Sequence, residues 1–195
     1  AYFGPDKPGL GRLSGLLVMF SGAMTGVVVS DHLLALFVFW ELTSITSYLL
    51  IGNDDTNPRA RDAATSAILI TGAGGLAMLA GLVVLGQSAG TYRFSELASA
   101  FASTDVSLIG FGAIVLILLG AFTKSAQWPF SSWLPGAMVA PTPISTYLHA
   151  ATMVKAGVFL VARLAPVTYS VDGGRPTVFI CGATTMVFGG WRALR

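Results

Sequence analysis

The sequence predicts an all-α, polytopic membrane protein with about six transmembrane helices, one of them discontinuous. Three observations favour this class: hydrophobic residues make up 54% of the 195 residues, charged residues make up only 10%, and long apolar runs recur along the chain. A water-soluble fold of this length cannot hide so much apolar surface. Each run approaches the ~20 residues that a helix needs to cross a ~30 Å hydrocarbon core.

Six apolar runs define the predicted spans A to F. They are Leu13 to Val29, Leu33 to Gly52, Ala64 to Gly86, Val106 to Phe122, Ile144 to Ala165 and Thr177 to Trp191. If the spans cross in turn, basic residues fall mainly on one side, which the positive-inside rule makes cytoplasmic. That side carries Lys7, Arg12, Arg59, Arg61, Arg192 and Arg195, and the other carries Arg93, Arg163 and Arg175.

Span C contains small residues at four-residue spacing, namely Ala73, Ala77 and Gly81. This pattern lets membrane helices approach closely, so it predicts a packing face. The stretch from Gly72 to Ala77 also fits the loose dinucleotide pattern G-x-G-x-x-A. Because it lies inside one uncharged run rather than between a strand and a soluble helix, we interpret it as packing.

The segment from Thr123 to Pro143 differs from its neighbours because it holds four prolines, two tryptophans and Lys124 as its one charge. Prolines break helices, and bare backbone at membrane depth is tolerated only when it is buried in protein or lines a hydrated cavity. The sequence therefore predicts a broken helix D, followed by a half-helix or a partly embedded connection.

Glu41 stands near the middle of span B and is the first candidate functional residue. An intramembrane acid is costly unless it is paired or hydrated, so it usually faces a bundle interior or an ion path. Hydroxyl residues follow it at Thr43, Ser44, Thr46 and Ser47. The alternative is a protonated glutamate that only hydrogen-bonds to a neighbouring helix.

Three basic residues join Glu41 as candidates. Lys155 lies near the middle of span E, too deep to reach either surface easily, and is interpreted as a proton relay or as a static ion pair. Lys124 ends span D, where it is an interfacial anchor unless the helix breaks beside it. His149 suits proton transfer, although a lone histidine is also a common packing residue.

Composition excludes several other functions. The net charge is +2 and the basic residues are scattered, so we expect no nucleic-acid partner. Cys181 is the single cysteine, which provides neither a disulfide nor a thiolate set for zinc or an iron–sulfur cluster. We therefore predict no cofactor and no metal site. The chain starts at Ala1 rather than methionine and Arg195 closely follows span F, so we expect a fragment.

The motifs FWELTS, KSAQ, WLPGAM, APTP and HAATMVKAG begin at Phe39, Lys124, Trp133, Ala140 and His149. Together they resemble one membrane family, the antiporter-like subunits. These are the large subunits of Mrp-type multisubunit sodium/proton antiporters and the proton-pumping membrane subunits of respiratory complex I. The stretch GTYRFSEL from Gly90, together with Lys155, is most similar to the A-type large subunit of the Mrp antiporters.

The resemblance implies a core of two inverted five-helix repeats, each with a discontinuous helix. Residues 1–165 then form the first repeat, and residues 166–195 form a loop and the start of the second. The resemblance also implies a functional pair of Glu41 and Lys124, with His149 and Lys155 continuing the proton path. Ser131 departs from the pattern because many relatives have histidine there, and Val139 departs because some relatives have a polar or acidic residue.

The function implied by the resemblance is proton translocation within a multisubunit sodium (or other monovalent cation)/proton antiporter. It implies a multi-pass protein of the bacterial plasma membrane, a transporter rather than an enzyme, with the other antiporter subunits as partners. One alternative is a redox-driven proton pump subunit of complex I or a related membrane hydrogenase. Another is a non-transporting scaffold whose buried charges only fix helix packing.

Overall fold

The computed structural model describes residues 9–54, 56–102, 108–171 and 173–194, and this part of the chain is helical throughout apart from its connections. A 3-10 turn at Phe130–Ser132 and a π-helix at Thr146–Thr152 interrupt the α-helices. The α-helices are α1 Leu10–Val29, α2 Leu33–Ile51, α3 Pro58–Ala89, α4 Phe94–Ala102, α5 Leu108–Lys124, α6 Trp133–Ala137, α7 Thr142–Ser145, α8 Met153–Arg163, α9 Ala165–Ser170 and α10 Gly174–Ala193.

The spans confirm an all-helical, polytopic membrane fold. Four helical stretches in the described residues are long and apolar enough to cross a membrane, and Gly110–Lys124 is a shorter apolar helix. The four are Leu10–Val29, Leu33–Ile51, Pro58–Ala89 and Thr142–Arg163. These five correspond to predicted spans A to E, although the predicted start of span D at Val106 lies outside the described residues. Predicted span F lies within α10, which has 20 residues but is not among the four.

Helix α3 is longer than the apolar run that predicted it. Asn57 caps its amino terminus by accepting a hydrogen bond from the Arg59 amide at 3.0 Å, and Pro58 occupies the first turn. At the other end Gly90 takes the left-handed conformation, with φ of 68°, that commonly stops a helix. The prediction began late, at Ala64, because the first turns of α3 carry Arg59, Arg61 and Asp62 and are therefore not part of an apolar run.

The predicted break in span D lies directly after Lys124, the last residue of α5. The chain then turns through Ala126, a residue in the left-handed region with φ of 52°, before the short helix α6. The Trp133 indole nitrogen donates to the Thr123 carbonyl at 3.0 Å and so fastens α6 to the open end of α5. A helix end needs such partners because its last carbonyls have none within the helix.

Predicted span E is continuous from α7 to α8 but contains the π-helix in its middle. The Thr152 hydroxyl donates to the Tyr147 carbonyl at 2.7 Å, five residues back, across the widened turn. The Tyr147 hydroxyl in turn shares a hydrogen bond of 2.6 Å with Ser21 of α1. The π-helix is thus held both from within and from the neighbouring helix.

Glycines let α3 pack closely against α5. A Cβ atom at Gly81 would lie 2.6 Å from the Ala113 carbonyl oxygen, so the predicted packing role of Gly81 is confirmed. Ala73 is exposed within the described chain, so its packing role stays a prediction. Gly74 faces α5 instead, because a strict four-residue spacing drifts around a helix that repeats every 3.6 residues.

Three connections meet at one end of the bundle. Phe94, the first residue of α4, donates its amide to the Asp31 carbonyl at 2.8 Å, and Arg163 donates to the Val28 carbonyl at 3.2 Å. An isolated β-bridge pairs His32 with Arg93. These contacts confirm that Arg93 and Arg163 share a side, as the alternation of spans predicted. Helix α4 itself is an element that the sequence patterns did not predict.

Candidate functional site

Lys124 is fully buried and lies against the middle of α2. Its ammonium donates to the Trp40 carbonyl at 2.6 Å and to the Ser44 hydroxyl at 2.9 Å, and it lies 4.3 Å from the centre of the Trp40 ring. We call the Trp40 carbonyl, the Trp40 ring and the Ser44 hydroxyl the lysine seat. The interpretation of Lys124 as an interfacial anchor is wrong, because the break in span D places it inside the bundle.

Helical spacing on α2 creates this seat. Positions three and four residues apart lie on one face of a helix, so Thr43 and Ser44 both stand beside the Trp40 carbonyl. The Thr43 hydroxyl donates to that carbonyl at 2.7 Å, and all three residues are buried. An ammonium held by two oxygens and an aromatic face is stabilised without a carboxylate contact.

Glu41 lies near Lys124 without contacting it. No ion-pair contact within 4 Å joins these two described residues, although Lys124 binds the carbonyl of Trp40, the residue before Glu41. The Oε1 atom of Glu41 is buried and has no hydrogen-bond partner among the described residues. The carboxylate rests against Gly75 of α3, where a Cβ atom would collide with Oε1. The two candidates are thus brought together but held at separate places.

His149 is buried within the π-helix and only half satisfied. Its Nδ1 lies 3.0 Å from the Ser145 carbonyl, which makes Nδ1 the protonated nitrogen of a neutral ring and leaves Nε2 as an acceptor. Within the part of the chain that the structure describes, Nε2 is buried and has no hydrogen-bond partner. The ring lies 5.9 Å from that of Trp133, which also binds the Thr123 carbonyl next to Lys124. Trp133 therefore connects His149 to the break.

Lys155 is not brought to this site. It lies on α8, and its side chain is exposed in the described chain. The predicted static ion pair has no acidic partner for Lys155 among the described residues, and its role as a proton relay stays a prediction.

Three positions at the site were not singled out from the sequence. The hydroxyls after Glu41 were an available signal for Ser44, but nothing in the sequence showed that a lysine 80 residues later binds it. Trp133 was visible only as part of a motif. Gly75 lies in the stretch from Gly72 to Ala77 that we interpreted as a packing face. Its contact with the Glu41 carboxylate depends on tertiary structure and could not be predicted from the sequence.

Residues 30–195 match the model of the family described as NADH:quinone oxidoreductase/Mrp antiporter, TM. The chain belongs to this family. It is 49% identical over 194 residues to a probable K(+)/H(+) antiporter A/B-type subunit of Rhizobium meliloti, covering 99% of this chain and 19% of that relative. It is 43% identical over 194 residues to the A-type subunit of a Na(+)/H(+) antiporter of Bacillus subtilis, covering 100% of this chain and 24% of the relative. The chain thus spans about a quarter or less of these family members.

Two solved structures share the fold of this family member. The Mrp complex from Dietzia sp. DQ12-45-1b contains a chain with a TM-score of 0.74 and 41% identity, covering 82% of this chain and 17% of that one. The membrane-bound sulfane sulfur reductase, an archaeal respiratory membrane complex, contains one with a TM-score of 0.79 and 25% identity, covering 90% and 36% respectively. The fold therefore occurs in both an Mrp complex and an archaeal respiratory membrane complex.

Proposed function

We propose that this chain translocates protons as part of a multisubunit monovalent cation/proton antiporter of the bacterial plasma membrane. The observation that carries the proposal is the burial of Lys124 at the broken end of α5, on its seat and beside Glu41. An intramembrane lysine next to an acid marks an ion path by default. The relatives named as antiporter subunits support the same class.

The chemistry depends on whether Lys124 is held by its seat or by Glu41. Two unit charges ~4 Å apart at an effective dielectric of ~20 attract by about 4 kcal/mol. That energy changes the ratio of protonated to neutral lysine by on the order of a thousandfold. When Glu41 approaches, Lys124 holds its proton, and when Glu41 withdraws, Lys124 releases it more readily.

His149 is the next group on the proposed path. Its unpaired Nε2 accepts a proton, and its Nδ1 remains oriented by the Ser145 carbonyl. Lys155 continues the path beyond this helical bundle from the exposed face of α8. The proposed partners are the other subunits of the antiporter complex, and the proposed cation is sodium or another monovalent ion.

The test is cation/proton exchange by the intact complex, reconstituted in vesicles that contain no electron donor. A sodium or potassium gradient is expected to change the internal pH for the unmodified complex and not for Glu41→Ala. Glu96→Ala is the matched control, because Glu96 is an exposed carboxylate on α4 outside the site. Normal cation/proton exchange by the Glu41→Ala complex would contradict the proposed mechanism.

A second candidate is a redox-driven proton pump, because the respiratory sulfane sulfur reductase contains the same fold. It uses the same buried groups but moves protons only when electrons flow. A pH change that requires an electron donor and ignores the cation gradient would favour this pump. A third candidate is a scaffold, which predicts unchanged transport and reduced assembly in the Glu41→Ala complex.

A further inference from the structure

Gly75 of α3 contacts the one buried carboxylate oxygen of the site that lacks a hydrogen-bond partner. A Cβ atom built at Gly75 would collide with Glu41 Oε1 and lie 3.0 Å from its carboxyl carbon. Gly75 is buried, so the carboxylate occupies the space that any side chain at this position would fill. The missing side chain is what allows Glu41 to rest on α3.

The preceding residue makes the equivalent contact on the other side of the pair. A Cβ atom at Gly74 would collide with the hydroxyl of Thr123, the neighbour of Lys124 in α5. We call Gly74 and Gly75 the glycine notch. Through this notch α3 lies close to α2 at Glu41 and close to α5 beside Lys124.

We propose that Gly75 is a positioning residue of the Glu41 and Lys124 pair. Its bare backbone gives the carboxylate a resting place on α3, just as the lysine seat gives the ammonium one on α2. Each partner is therefore held apart from the other in this conformation. This inference rests on the proposed proton path and adds the residue that sets the separation within it.

The separation controls how strongly the two charges interact. At an effective dielectric of ~20, a change of ~1 Å at separations of ~5–6 Å alters the interaction by the equivalent of about 0.4 pH unit. A methyl group at position 75 has to move the carboxylate by this order of distance. The colliding atom is the far end of a flexible side chain, so the fold can accept the methyl group by moving it.

The experiment compares Gly75→Ala with Gly72→Ala in the intact, reconstituted complex. Gly72 lies one turn earlier on α3, and a Cβ there meets nothing within 4 Å, which makes it a matched control. We expect the pH profile of cation/proton exchange to shift by about 0.4 unit or more for Gly75→Ala and not for Gly72→Ala. An alkaline shift means that the carboxylate moved toward Lys124, and an acid shift means that it moved away. Unshifted profiles in both variants overturn the inference.

A second background separates positioning from simple packing. Glu41→Asp shortens the acid by one methylene, so its carboxylate no longer reaches a methyl group at position 75. The shift caused by Gly75→Ala is expected to fall by at least half in the Glu41→Asp background. An equal shift in both backgrounds would mean that Gly75 acts through the backbone, which contradicts the inference.

Assembly provides the remaining outcomes. If Gly75→Ala does not assemble but the double variant with Glu41→Asp does, the collision with the carboxylate is the cause and the inference stands. If neither assembles, Gly75 is required for helix packing and the inference fails. Active Glu41→Ala complexes defeat the proposed function, whereas an inactive Glu41→Ala with an unshifted Gly75→Ala profile defeats only the role of Gly75.

Discussion

The two lysines placed in apolar helical stretches have opposite surroundings. Lys124 is fully buried and holds two oxygen acceptors and an aromatic face, whereas Lys155 is exposed on α8. Burial of a charge is tolerated only when its donors are satisfied, and the lysine seat satisfies Lys124 within this bundle. The difference shows that similar positions along apolar runs do not imply similar energetics.

The largest expected effect comes from truncating the two lysines in the intact complex. Both Lys124→Ala and Lys155→Ala are expected to lower exchange by about a hundredfold, because a positioned proton-transfer group contributes at least that much. Their stabilities should differ. Lys124→Ala empties a packed site and should cost about 3 kcal/mol of unfolding free energy, whereas Lys155→Ala empties no packed site within this bundle and should cost less.

Cation/proton exchange rates and thermal unfolding, measured on the same preparations of Lys124→Ala and Lys155→Ala, check these two predictions. Lys124→Met serves as the control, since it keeps the volume of the side chain and removes the charge, so exchange should be lost with less destabilisation. Equal destabilisation by Lys124→Ala and Lys155→Ala would break the comparison, because it would show that Lys155 is packed as closely as Lys124.

An intermediate effect is expected from Ser44→Ala, which removes one acceptor from the lysine seat. Hydrogen bonds to charged groups contribute about 2 kcal/mol, so the seat should hold the ammonium about thirtyfold more weakly. The pH profile of exchange should shift accordingly. Ser47→Ala is the matched control, because its buried hydroxyl lies one turn further along α2 and has no partner. Similar pH profiles for Ser44→Ala and Ser47→Ala would contradict the claim that the Ser44 hydroxyl stabilises the Lys124 ammonium.

The smallest effect is expected at the end of the bundle where α8 is fastened. Asp31 accepts hydrogen bonds from the Ser95 hydroxyl at 2.8 Å and the Ser95 amide at 3.0 Å, and these hold the pKa of Asp31 below its ordinary value. A lowered pKa stabilises the folded state above the ordinary value, and the contribution is lost as pH falls below about 4.

Thermal unfolding of the complex between neutral pH and pH ~3.5 tests the contribution of these two hydrogen bonds between Asp31 and Ser95. The unmodified complex should lose slightly more stability on acidification than Asp31→Asn, which cannot titrate at this position. Asp62→Asn, at an exposed aspartate of α3, is the control and should follow the unmodified complex. A steeper loss for Asp31→Asn would contradict the stated direction.

Sequence patterns predicted most of the helices and the depth of Glu41, because hydropathy and length report directly on hydrocarbon thickness. The proline-rich segment also predicted the break that makes Lys124 a buried residue. The seat and the glycine notch were beyond the reach of the sequence, since each joins helices that are distant along the chain. Helix α4 was missed because it is too short to appear as an apolar run.

The π-helix at Thr146–Thr152 changes the rotational phase of the helix that contains it. A π turn closes through i→i+5 bonds, so it takes up about one residue more than an α turn. One residue corresponds to about 100° of rotation in an α-helix. A single helical wheel drawn from Thr142 to Arg163 is therefore out of phase after Thr152. Two wheels are needed, one for each side of the π-helix.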